Sequence, residues 1–182
     1  MSQCPYGTIA ENNMKDVLAL FGSKLKFNLY FIANQNEDGS FSSLHGQGEV
    51  DEDTRQVCAM KYNPDKYFNY VLCVDKDYSN AANVWENCAK ESGLDVAKIK
   101  ACAGGSEGTE LLAANIQKAN DLGIGSSPTF FINNQVLSSG AMSPEQIKAN
   151  VCEMNKDLEG CSVTLNTTSG TVTPTASGGS CG

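Results

Sequence analysis

The residue best placed for chemistry is Cys4, which stands directly before Pro5. Behind it Ile9, Met14, Val17, Leu18 and Phe21 recur at helical spacing, which predicts a helix over 5–21 closed by Gly22. Proline suits a first helical turn, where its missing N–H costs nothing. A cysteine just ahead of that turn faces unpaired backbone N–H groups and the positive end of the helix dipole. Both stabilise the thiolate and lower its pKa below the ~8.5 of a free thiol. The thiolate is the form that attacks disulfides. Tyr6 offers a hydroxyl beside it, and the lone histidine, His45, offers a proton acceptor or a positive charge.

Several elements must position these residues. Lys24–Ile32 alternates and then turns apolar, which predicts a strand with one buried face. Asn34–Gly48 reads as a polar loop carrying His45. Helices are expected over 49–61, from Pro64 through Leu72, over 81–91 behind Ser79-Asn80, from Asp95 to about Ala103, and from Thr109 to Leu122. The aromatics Tyr62, Tyr67, Phe68, Tyr70 and Trp85 read as core of this helical stretch. Gly123–Pro128 is a breaker cluster. Thr129–Ile132 and Val136–Ser138 form a hairpin around Asn133-Asn134-Gln135, and Ser143-Pro144 opens a last helix reaching about Met154. Residues 162–182 carry no charge and are rich in Thr, Ser and Gly, so they read as a disordered tail with a formal glycosylation sequon at Asn166-Thr167-Thr168. The organisation is therefore 1–48, a helical insertion 49–122, a returning segment 123–161, and the tail 162–182.

At 182 residues and 41% apolar content the chain supports one cored domain, or one domain plus a tail. A net charge of −8 and a pI near 4.6 argue against a nucleic-acid partner. No apolar run is long enough to span a membrane, and no signal peptide is visible. The eight cysteines include no Cys-x-x-Cys pair, and there is one histidine, so no metal site is expected. Even, wide spacing suits a disulfide framework in an oxidising, extracytoplasmic or secretory compartment. Cys73 and Cys88 flank a helix turn, and Cys58 and Cys102 lie on outer helices. Nested pairs 73–88 and 58–102, with 152–161 closing the last helix, are the expected pairing, though sequence alone does not fix connectivity. Cys4 and Cys181 are then left over.

Cys4-Pro5-Tyr6-Gly7 resembles the Cys-x-x-Cys active-site turn of the thioredoxin superfamily, with Gly7 in place of the second cysteine. Ser127-Pro128-Thr129 resembles that superfamily's cis-proline loop, which offers backbone groups to an extended peptide. His45-Gly46-Gln47-Gly48-Glu49 looks like the His-Gly-x-x-Glu of gamma-interferon-inducible lysosomal thiol reductases. That signature has cysteines where this chain has Ser43 and Val50; its next cysteine matches Cys58, and its asparagine falls on Asp53. Val71-Leu72-Cys73, Cys88, Gly93-Leu94, Ile99, Cys102, Leu111-Leu112, Gln117 and Cys152 recur in similar order, and Cys161 matches more loosely. The chain also resembles DsbA-like thiol oxidoreductases. The resemblance implies an α/β thioredoxin-like fold with a multi-helix, cysteine-bearing insertion, whose first strand is expected to precede Met1. It also implies thiol–disulfide exchange on protein or peptide disulfides with no cofactor. Cys4 would be the nucleophile, and Pro5, Tyr6, Ser127, Pro128 and Thr129 would line the substrate site.

A lone thiol can form a mixed disulfide but needs a second thiol to leave it. Glutathione, a partner protein or Cys181 could supply that thiol, and His45 could modulate Cys4. Two other readings stay open: a redox-inactive peptide-binding module, which Gly7 favours, and a monothiol glutaredoxin-like iron–sulfur protein.

Overall fold

A computed structural model describes residues 1–133, 135–165 and 179–182. The expected sequon, and most of the expected tail, lie outside the described residues. The chain divides into two compact units: Met1–Cys4 with Tyr30–Gly125, and Pro5–Leu29 with Ser126–Gly182.

The first unit is built on α2 (Gln47–Tyr62), which packs on α3 (Tyr67–Val74), α4 (Ala81–Glu91), α5 (Val96–Ala103) and α6 (Ser106–Asp121). Ahead of α2 lies a small hairpin of β1 (Asn34–Gln35) and β2 (Phe41–Ser42). Tyr70, Val71, Val74, Ala89, Ile99 and Leu112 form its apolar core. A polar cluster is buried among them. Glu52 accepts hydrogen bonds from Arg55 Nε at 2.7 Å, Gln56 Nε2 at 3.2 Å and the Tyr70 hydroxyl at 2.8 Å. Burial pushes the Glu52 carboxyl pKa up, with the Arg55 charge opposing it. Arg55 also lies over the Trp85 ring, 5.3 Å from its centroid. Two disulfides staple the helices: Cys58–Cys102 joins α2 to α5, and Cys73–Cys88 joins α3 to α4.

The second unit sets α1 (Pro5–Phe21) against α7 (Pro144–Met154) beside a hairpin of β3 (Thr129–Ile132) and β4 (Gln135–Ser139). α7 begins in a full capping box, with the Ser143 hydroxyl accepting from the Gln146 N–H and the Gln146 side chain accepting from the Ser143 N–H. Cys152–Cys161 closes the turn behind it. The six cysteines read as structural are thus paired 58–102, 73–88 and 152–161.

Four expectations are corrected. Among the described residues no strand pairing is seen over the 24–32 segment. Its alternation is real: Leu25, Phe27, Leu29, Phe31 and Ala33 are turned inward relative to Lys26, Asn28 and Tyr30. The Phe31 N–H, however, donates to the Asn115 side chain at 2.7 Å, so a helix side chain takes a bond that a neighbouring strand would make. The helix expected at Thr109 starts at Ser106, with Gly105 as its N-cap. The helix expected from Pro64 starts at Tyr67, because the Asn63 carbonyl first accepts from the Lys66 and Tyr67 N–H groups in a turn. The expected disordered tail has ordered ends: the Leu165 N–H donates to Glu145 at 2.8 Å, and Cys181 is 8% exposed.

Gly108 marks where α6 meets its neighbours most tightly. A Cβ there would sit 2.6 Å from the Cys102 carbonyl oxygen and 2.9 Å from the Ala103 Cα. Alanine normally favours a helix, yet Gly108→Ala should lower stability by about 1–3 kcal/mol through overpacking against backbone. Urea unfolding followed by circular dichroism reads this, and an unchanged midpoint would contradict it.

Candidate active site

In the first unit, the four residues through Cys4 are fastened to the start of α2. Gly46 is the α2 N-cap and has φ 87°, a left-handed conformation that glycine supplies. Glu49, three residues on, is fully buried, and its carboxylate turns back over the helix start. It accepts from the Gln3 N–H at 2.9 Å and from the His45 N–H at 3.4 Å. His45 Nδ1 lies 3.0 Å from both carboxylate oxygens. A carboxylate only accepts, so Nδ1 carries the proton. Burial raises the Glu49 pKa, but the Gln3 N–H, the positive chain start, and the His45 and Ser43 side chains outweigh it and hold the carboxyl below its ordinary value.

One helical turn later, Asp53 Oδ1 accepts from the Ser2 N–H at 3.0 Å, and the Ser2 hydroxyl donates to the Glu49 carbonyl at 3.4 Å. Glu49 and Asp53 therefore lie one turn apart on α2, and His45, just ahead of the helix, reaches the first of them. Cys4, which follows this clamped backbone, is fully buried, and its N–H donates to the Met1 carbonyl at 3.3 Å.

In the second unit, Pro5 and Tyr6 open α1, and the Ser127–Pro128 peptide is cis. The Thr129 hydroxyl donates to the Ser126 carbonyl at 2.6 Å, tightening that loop. Ser127 forms an antiparallel bridge with Cys181: each N–H donates to the other's carbonyl at 2.8 Å. Gly179 lies against the Tyr6 ring, where a Cβ would fall 2.0 Å from Cε1.

All eight cysteines are disulfide-bonded, Cys4 and Cys181 included, so neither is the free thiol the sequence suggested. Among the described residues no cluster of His, Cys, Asp and Glu could hold a metal ion, and no helix is long and apolar enough to cross a membrane. The sequence placed Glu49 and Asp53 in the family signature without a role; the structure adds their partners, the backbone N–H groups of Gln3 and Ser2, which carry no residue signature.

These features define an α/β thioredoxin-like protein with a helical insertion and thiol–disulfide oxidoreductase character. Residues 65–151 match the DSBA-like thioredoxin domain. Residues 1–92 match the gamma interferon inducible lysosomal thiol reductase (GILT) model, half of the chain, and the chain belongs to that family. No curated protein matches it.

Asp53 gives a test of the clamp. Burial raises its pKa from 3.8 to about 6, against the Ser2 bond and the positive chain start, and its Oδ2 has no hydrogen-bond partner. A carboxyl whose folded pKa exceeds its unfolded value disfavours folding once ionised. Its stability contribution therefore falls as pH rises from about 4 to about 6 and stays low above. Asp53→Asn keeps the acceptor for Ser2 and removes the buried charge. It should raise stability at pH 7 by on the order of 2 kcal/mol, with the gain shrinking toward zero by pH 4. Urea midpoints at the two pH values check this.

Proposed function

We propose that Cys4 is the nucleophile of a thiol–disulfide exchange site acting on protein or peptide disulfides in an extracytoplasmic compartment. The observation that carries this reading is the clamp: family-signature residues His45 and Glu49 close on the backbone directly ahead of Cys4. They hold its Cα where the chain enters α1. The first-turn amides and helix dipole of α1 favour a thiolate at that point. Pro5 and Tyr6 follow Cys4 directly in the chain, and the backbone of Ser127, Pro128 and Thr129 is the part of the second unit that would pair with an extended peptide. The six structural cysteines pair among themselves, so none of them holds Cys4. Glutathione or another thiol could release a mixed disulfide.

A second reading has one observation in its favour. Cys4 is fully buried and disulfide-bonded, which suits a peptide-binding module with a permanent bridge. Cys4→Ser separates the two. If Cys4 is the nucleophile, reduction of insulin disulfides by dithiothreitol in the presence of the protein falls to the uncatalysed rate in the variant. A module shows no catalysis in either form and unchanged peptide binding. His45 and Glu49 act as positioning residues: Glu49→Ala should slow exchange about tenfold, the equivalent of ~1.4 kcal/mol, at unchanged peptide affinity. Equal rates in the variant and the native protein would remove the clamp from the mechanism.

A further inference from the structure

A cavity of about 280 Å³ lies within the first unit, where α2, α4 and the end of α5 meet. Its volume is near the low end of small-molecule sites. None of the residues named for thiol exchange lines it. Trp85 and Ala103 give it an apolar side, and Arg55, Lys100 and Asp51 give it charge. Trp85 is 8% exposed and is the only tryptophan of the chain.

The charges around the cavity are unequally committed. Only 12% of the Arg55 side chain is exposed. Its Nε donates to Glu52 at 2.7 Å, and its guanidinium lies over the Trp85 ring. Its Nη2 is buried and has no hydrogen-bond partner among the described residues. A buried donor left in that state is costly, and a guanidinium never gives up its proton to relieve it. The acids nearby are already served. Glu52 takes Arg55 on one oxygen, and Gln56 and Tyr70 on the other. Asp51 accepts from the Gln47 amide at 2.8 Å. Lys100 Nζ stands 3.7 Å from Glu86, an exposed pair of the loose, screened kind. The cavity therefore has donors to spare beside an aromatic wall, and it lacks a negatively charged acceptor.

We propose that this cavity is a binding site for a small carboxylate carrying a flat apolar group. The carboxylate accepts from Arg55 Nη2, in the planar geometry a guanidinium favours, and pairs with Lys100. The flat group packs on Trp85 and Ala103. Because Nη2 is covered, binding includes a turn of the Arg55 side chain toward the cavity, which changes the contact between guanidinium and indole. The site does not rest on the reading of Cys4 as nucleophile.

The test uses the full chain, with benzoate as probe. Benzamide keeps the shape of benzoate without its charge, and acetate keeps the charge without the ring. Binding is read by the fluorescence of Trp85 and, independently, by saturation-transfer NMR of the probe. Benzoate should give a saturable signal with a Kd on the order of 1 mM, the affinity expected of so small a ligand. Benzamide and acetate should each bind about tenfold more weakly. Lys100→Glu alters an exposed residue and should weaken benzoate about tenfold. Arg55→Lys keeps the charge without the fork and should weaken it by about as much. No saturable signal by either method, or equal affinity of the native chain and Lys100→Glu, overturns the site. Equal binding of benzoate and benzamide overturns the ligand class.

Discussion

A buried carboxylate must have its oxygens satisfied, and Glu49 meets that requirement with groups from outside its own helix. Its partners are the Gln3 and His45 N–H groups and the His45 ring. The charge therefore dictates where the chain before Cys4 runs. In many helices the third residue's carboxylate folds back on the N-cap N–H. Here the N-cap is Gly46, and the carboxylate reaches past it to His45 and Gln3. A capping group thereby becomes a brace for the residues leading into Cys4. Asp53 repeats the arrangement one turn on, at a less favourable charge balance, which its raised pKa records.

The second unit uses backbone where the first uses side-chain charge. The Ser127 N–H and C=O pair with Cys181, as two strands would. Such bonds read no sequence, and the side chain alongside them is Tyr6, against whose ring Gly179 lies. Gly179 is a residue whose lack of a side chain is needed there.

Much of this was legible in the sequence, for local reasons. Helical spacing located α1 and α4, and capping chemistry located α7, whose start is set by Ser143. Cysteine placement on predicted helices located three disulfides. What could not be read was decided by distant partners. The 24–32 segment has the alternation of a strand, but Asn115, far along the chain, takes the Phe31 N–H. Asn80 has the residue type of a cap, yet its amide donates to Asp77 and its carbonyl accepts from Asn83. Glu49 was visible as part of a motif. Its role was not, because the group it holds is the Gln3 backbone, which has no residue signature. The bridge between Ser127 and Cys181 spans a separation no local pattern reports.

The turn that carries His45 differs from the family signature at Ser43 and Val50. Ser43 Oγ donates to the Gly46 carbonyl at 2.9 Å, and Val50 is packed in the interior. Neither can be oxidised or reduced. A reductant strong enough to open sulfur bridges elsewhere leaves these two contacts untouched. The brace behind Cys4 is in this respect blind to redox state: the turn ahead of that cysteine keeps its contacts whether the sulfur is bonded or free.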